Sequence, residues 1–152
     1  MKLTLDVENT VTHRDGKMHL DPFEPDNSLV MVGIISVADI HPRIFTFDHA
    51  DLEPTFNGKE ELQGWLDRTT LLIGHNIAYD LLWLWESGFK YDGEVYDTML
   101  NEYVLQRGVK EPLSLQACAE RYGATPKQDT LKEYFAKGYS TRDIPHAELC
   151  EY

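Results

Sequence analysis

The sequence predicts an α/β fold, a mixed sheet with helices on its faces. Three observations predict it. Residues 2–8 alternate strictly between apolar and polar, the period of a half-buried strand. Residues 28–38 are almost continuously apolar and β-branched, the mark of a central strand covered on both faces. From about residue 57 the periodicity changes to that of helices, interrupted by two short strands.

In order, Leu3, Leu5 and Val7 point one way from the first strand, and Lys2, Thr4, Asp6 and Glu8 point the other. Residues 9–27 are polar, with Asp15-Gly16, Pro22, Pro25 and Asp26-Asn27, and read as loop or a wide hairpin connection. After residues 28–38, His41-Pro42 turns the chain into a third strand, Arg43 to Asp48, completing a meander. Asn57 and Glu60 have the spacing of a capping box before Leu62, Trp65 and Leu66. Thr70 to Gly74 is a short strand, and Asn76 opens an apolar helix that ends near Gly88. Trp83 and Trp85 on it read as packing residues.

Glu94 to Tyr96 is a further strand. The helix from Asp97 to Gln106 carries Leu100, Tyr103 and Val104 on one stripe, and Asp97 reads as its cap. Pro112 starts the next helix, with Leu115, Cys118, Ala119 and Tyr122 on one face. Thr130 and Glu133 form a capping pattern before a helix stopped by Gly138, and Pro145 begins a last helix. There is no internal repeat and no linker, so residues 1–152 are expected to form one domain.

Composition excludes little. The formal net charge is −12, all of it in residues 1–106, while residues 107–152 are balanced. A strongly basic nonspecific nucleic-acid binder is excluded, but a local phosphate path is not. Lys127, Lys132, Lys137 and Arg142 against Asp129 and Glu133 form such a locally positive stretch, either a solvated helix face or a phosphate-contacting rim. No apolar run reaches the ~18 residues that span a bilayer, so no membrane partner is expected. Cys118 and Cys150 make no disulfide framework. A cytoplasmic protein with reduced thiols is expected.

Two motifs carry chemistry. Asp6-Val7-Glu8 puts two carboxylates on one face of a strand, about 6.6 Å apart along the backbone, where they can converge on metal ions. Gly74-His75-Asn76-Ile77-Ala78-Tyr79-Asp80 is a strand-to-helix turn, and Asn76 and Asp80 lie four apart on one helix face. Read separately, the first is a solvated polar face before it is a metal site, and the second a helix cap followed by a first-turn acid. His75 reads as a satisfied histidine beside a helix start. No dinucleotide fingerprint, phosphate-binding loop or zinc spacing is present.

In this order, with a meander between them, the two motifs resemble the first two signatures, Asp-x-Glu and Asn-x-x-x-Asp, of the DEDD exonuclease superfamily. These are 3′→5′ exonucleases with an RNase H-like fold. Asn76 to Asp80, Tyr96 to Leu100 with Glu102-Tyr103, and Leu113 to Ala117 with Tyr122-Gly123 resemble the proofreading domain of family A DNA polymerases, bacterial and bacteriophage. Residues 144–152 are similar to the approach to the third motif, Tyr-x-x-x-Asp, with Tyr152 as its tyrosine. The chain stops before that motif's acid, and Glu148 and Glu151 are poor substitutes. The resemblance therefore implies a fragment of a larger polymerase with weak or no activity of its own.

The resemblance implies two Mg²⁺ or Mn²⁺ ions held by Asp6, Glu8 and Asp80, with Asp6 bridging. It implies that Tyr152 orients the attacking water and that Asn76 positions the terminal nucleotide. Asn9, Thr10 and His75 would line the substrate path, with apolar residues after Glu8 wedged near the base. The implied partners are a single-stranded DNA 3′ end and a polymerase domain of the same chain. Two alternatives stand beside proofreading: an inactive RNase H-like nucleic-acid-binding module, and a stand-alone RNA-trimming exonuclease of the same superfamily.

Overall fold

Strand β1, Lys2–Asn9, buries every second side chain, with Leu3, Leu5 and Val7 inside and Lys2, Thr4 and Asp6 outside. It stands at the centre of a five-stranded sheet of order β5-β4-β1-β6-β7. The partners are β4 (Leu29–Ser36), β5 (Arg43–Thr46), β6 (Leu71–Gly74) and β7 (Glu94–Asp97). β4 runs antiparallel to both β1 and β5, giving the expected meander, whereas β1, β6 and β7 are parallel. The computed structural model describes residues 1–125 and 131–151. Its sheet and flanking helices form the RNase H-like architecture.

One face of the sheet holds the main core. Leu3, Leu5, Val7 and Val32 pack there against Leu62 and Leu66 of α1 (Gly58–Arg68) and Ile77, Leu81, Trp83 and Leu84 of α2 (Ile77–Glu86). Trp83 is buried and Trp85 half exposed, as expected of packing residues. A second, smaller core covers β4 from the other side. There Val30 and Met31 meet Leu131, Ile144 and Leu149. These come from the C-terminal part of the chain, which contains α5 (Lys132–Ala136), a 3-10 turn (Thr141–Asp143) and α6 (His146–Glu151). The continuous apolar run of β4 thus reflects burial on both faces, as its sequence predicts.

The expected wide connection between β1 and β4 carries a small ribbon of its own, and two other local expectations are corrected. Residues 9–27 contain a two-stranded hairpin, β2 (Thr12–Arg14) and β3 (Lys17–His19), turned by Asp15 and Gly16 at φ 53° and 71°. Asn57 makes no capping bond with its side chain. It sits in the left-handed region at φ 53°, where the amide cannot reach the N-terminal donors of α1. α4 begins at Leu115, not Pro112, because the Ser114 hydroxyl caps it by accepting from the Ala117 amide.

The apolar stripe of α3 (Thr98–Leu105) faces outward, and the face shared on α4 (Leu115–Arg121) is exposed at its ends and half-buried at Cys118 and Ala119. Leu100, Tyr103, Val104 and Tyr122 are each at least 60% exposed, and the buried residue of α3 is Glu102. Periodicity gives a shared face but not the side that meets the core. Glu102 decides it here: its carboxylate accepts from the Arg121 guanidinium and, at 2.8 Å, from the Tyr122 hydroxyl, tying α4 to α3 through its polar face. Thr130 of the expected second capping pattern, Lys127 and Asp129 lie outside the described residues. Among the described helices none is long and apolar enough to cross a membrane.

Candidate active site

β6 pairs with β1 only over Lys2–Thr4. Further along β1, helix α2 takes the place of β6, and the Val7 amide donates to Asp80 Oδ1 at 3.0 Å. Asp80 is thereby fixed opposite the residue that separates Asp6 from Glu8. The register of β1 against β4 shifts between Glu8 and Asn9, a bulge of the kind that re-aims side chains beside functional sites. Asp6 is exposed, Glu8 half-buried and Asp80 only 4% exposed.

The turn that delivers Asp80 is tight. A Cβ on Gly74 would lie 2.4 Å from Ile77 Cδ1, and Asn76 takes φ 63°, which asparagine tolerates better than most residues. Asn76 is therefore not a side-chain cap. Its backbone N–H donates to Asp97 Oδ1 at 3.0 Å, and the same oxygen accepts from the backbone N–H groups of Met99 and Leu100. Asp97 caps α3, as its sequence position suggests, and also holds the β6–α2 turn in place. His75 donates from Nε2 to the Leu113 carbonyl at 2.7 Å, and its Nδ1 lies 2.9 Å from the Thr98 hydroxyl. Both ring nitrogens are engaged, so His75 is a satisfied histidine that also borders the site.

All three carboxylates line one cavity of about 560 Å³, together with Asn9, His75 and Asn76. Thr10 does not reach it: buried at the foot of the hairpin, its hydroxyl accepts from the Ser28 amide at 2.7 Å. Tyr152 lies outside the described residues. Arg142 of the locally positive stretch pairs with Asp48 at 3.1 Å. Tyr79 is a wall residue that the motif reading passed over. Its hydroxyl lies 2.7 Å from Asn9 Oδ1 and 3.1 Å from the Leu20 carbonyl, joining α2 to the hairpin. Met18, Leu20, Phe135 and Tyr139 complete the walls. No motif marks them; only their exposure beside acidic residues does.

Burial pushes the Asp80 carboxyl up to about 7, the Asp6 charge adds to the rise, and the Val7 amide partly offsets it. The carboxylates share the cavity without closing on one point. Among the described residues no group of three His, Cys, Asp or Glu side chains stands close enough to hold one ion. Mutual repulsion of like charges is the physical reason to keep them apart. The donor set is nonetheless one of hard oxygens, and the raised Asp80 carboxyl is what a divalent cation would relieve. The residues fit Mg²⁺ or Mn²⁺.

No protein-family model matches the sequence, and no curated protein matches it. Solved structures do. The chain is similar to NrnC of Brucella melitensis with bound Mg²⁺, at 20% identity and a TM-score of 0.57, over 97% of this chain and 62% of that one. It is similar to a nuclease in its apo form, at 17% identity and a TM-score of 0.60, over 99% of this chain and 64% of that one. NrnC of Brucella melitensis bound to pGG matches at 22% identity and a TM-score of 0.57, over 85% of this chain and 56% of that one. The chain thus spans about three fifths of the length of these neighbours. At such identities the likeness establishes the fold, a fold shared with nucleases.

Proposed function

We propose that this protein is a metal-dependent 3′→5′ exonuclease that trims single-stranded nucleic acid. The observation that carries the reading is the placement of Asp6, Glu8 and Asp80 around one cavity, although 72 positions separate Glu8 from Asp80. The solved structures it resembles, NrnC with Mg²⁺, NrnC with pGG and a nuclease, support a trimming enzyme acting on short strands, RNA included, over a polymerase's proofreading unit. The segments 96–103 and 113–123 keep proofreading of DNA as the second reading, because their sequence resembles that group.

Asp6, Glu8 and Asp80 would hold the divalent ions, which supply an activated water and stabilise the leaving 3′ oxygen. The Val7 amide keeps the Asp80 carboxylate aimed at the cavity. Glu8, half-buried beside it, is placed to take a proton from the attacking water. Asn76, exposed at the turn, is placed to hydrogen-bond the terminal sugar. His75 has both nitrogens committed and serves to hold the turn, not to move a proton. Tyr152 has the water-orienting role in this proposal.

The test is digestion of a 5′-labelled single strand, as RNA and as DNA, with Mg²⁺. The expected products shorten from the 3′ end and release nucleoside monophosphates, with RNA cut at least as fast as DNA. Digestion that persists in excess chelator or in Asp6→Asn, or that starts from the 5′ end, contradicts the proposal. Strong preference for DNA favours proofreading.

A further inference from the structure

Helix α3 is fastened to the domain by polar bonds. Asp97 caps it, the Thr98 hydroxyl donates to the Gly74 carbonyl at 3.2 Å, and the one side chain it buries is Glu102. It contributes no residue to either apolar core. A helix of two turns ordinarily draws its stability from an apolar face packed on another element. The apolar face of α3 is the stripe of Leu100, Tyr103 and Val104, and these are 60%, 64% and 65% exposed.

The stripe points away from α4. Glu102, which holds Arg121 and Tyr122, lies on the opposite side of α3, between Leu100 and Val104 in sequence. Leu105 and Val109 add exposed apolar surface at the C-terminal end of the helix, and Tyr96 on the edge strand β7 adds more at its N-terminal end. None of these residues lines the carboxylate cavity. Apolar side chains exposed singly need no explanation, but a cluster of them along one helix marks an interaction face.

The two ends of this face carry opposite charges. Asp92 and Glu94 stand exposed just before α3, and Arg107 and Lys110 just after it, with Glu111 leaving that end net positive. Among the described residues no ion pair involves Asp92, Glu94, Arg107 or Lys110. The eight residues of the helix hold its ends about 12 Å apart, too far for the two sets to meet within one chain. Two such helices laid antiparallel about a twofold axis bring each acidic end to a basic one and each stripe against its copy. We propose that the α3 face is the contact between two copies of this chain in a symmetric dimer. Leu100 of one copy meets Val104 of the other, with Tyr103 near the axis. Covering the face on both copies removes on the order of 1,000 Å² from water, the lower bound of a specific interface, so the dimer is weak and concentration-dependent. Both carboxylate cavities lie outside the contact.

The test is sedimentation equilibrium of the full chain at about 0.15 M salt, which screens the mutual repulsion of two copies. Each copy carries a net charge of −12. A monomer–dimer equilibrium is expected, with a dissociation constant on the order of 10–100 μM. Val104→Glu is expected to weaken it about tenfold or more, because it places two like charges close together in the contact. Arg107→Glu and Glu94→Arg are each expected to weaken it about threefold, since each breaks two symmetry-related pairs. The two changes combined are expected to restore the wild-type constant, a coupling that unrelated surface effects do not produce.

Val104, Arg107 and Glu94 are all exposed, so the variants fold, which thermal melts of dilute samples confirm. A wild type that stays monomeric up to about 1 mM overturns the proposal. A dimer that Val104→Glu does not weaken is held by another face and overturns it too. So does a double variant of Glu94 and Arg107 whose loss is the sum of the single ones.

Discussion

Replacing Asp80 with Asn isolates the electrostatic cost of assembling the site. The variant keeps an oxygen to accept from the Val7 amide and keeps the side-chain size, but it cannot ionise. Burial and Asp6 raise the wild-type carboxyl from 3.8 to about 7. Each tenfold change in proton affinity corresponds to about 1.4 kcal/mol, so the ionised carboxylate costs the fold about 4 kcal/mol. The native state takes up the proton before the unfolded state does, so this contribution is fully favourable near pH 4. It is lost as pH rises to about 7, and the difference is constant above that.

Without divalent metal, Asp80→Asn is therefore expected to be more stable than the wild type near pH 8, by up to about 4 kcal/mol, and equal to it near pH 4. For a chain of this size that is a rise in Tm of about 10 °C. Thermal melts of both proteins in chelator, across that range, read it directly. Adding Mg²⁺ or Mn²⁺ near pH 8 should raise the Tm of the wild type and leave the variant unmoved. An Asn variant less stable than the wild type near pH 8, or a difference that does not change with pH, refutes the reasoning. The first result would mean that Asp80 is a structural ion-pair partner, and the second that its carboxyl has the same proton affinity in the folded and unfolded chain.

Asp6→Asn should abolish digestion yet leave the fold intact, and it should bring the Asp80 carboxyl down toward the ordinary range, which carboxyl-carbon NMR titration follows. Burial, and then the neighbouring His49, hold the His146 imidazole below its usual 6.5. The unfolded chain then binds the proton first, so stability is lost as pH falls below about 6.5. His146→Gln should remove that slope from urea melts of the C-terminal segment. Arg121→Ala and Tyr122→Phe each remove a partner of the Glu102 carboxylate. Amide exchange should quicken across Leu115–Arg121 and stay unchanged in β1 and α2.

The parts of the fold set by burial alone were legible. The alternation in β1 and the unbroken apolar run of β4 translate directly into one-sided and two-sided burial. What escaped depends on partners distant in sequence. Leu100, Tyr103 and Val104 have helical spacing, yet α3 turns them outward because Glu102 finds Arg121 and Tyr122 on α4. Asn57 has a capping pattern, but backbone geometry, invisible in the pattern, takes its side chain away.

That the acidic residues share one cavity was readable from their spacing, two apart on a strand and one turn into a helix. Asp97 was readable as a cap but not as the group that also holds the Asn76 turn, since that needs the sheet to place β7 beside β6. The cavity walls were not readable. Met18, Leu20, Phe135 and Tyr139 come from a short hairpin and a distant segment, and no periodicity joins them.

The central claim is that Asp6, Glu8 and Asp80 form a divalent-cation site, although they do not close on one point by themselves. Titration of the protein with Mn²⁺ near pH 8, followed by the loss of the free-ion electron paramagnetic resonance signal, tests it most directly. Saturable binding is predicted, weakened at least tenfold in Asp6→Asn and Asp80→Asn and strengthened by a single strand with a free 3′ end. Binding of equal strength in the wild type and both variants, or no saturable binding at all, contradicts the account.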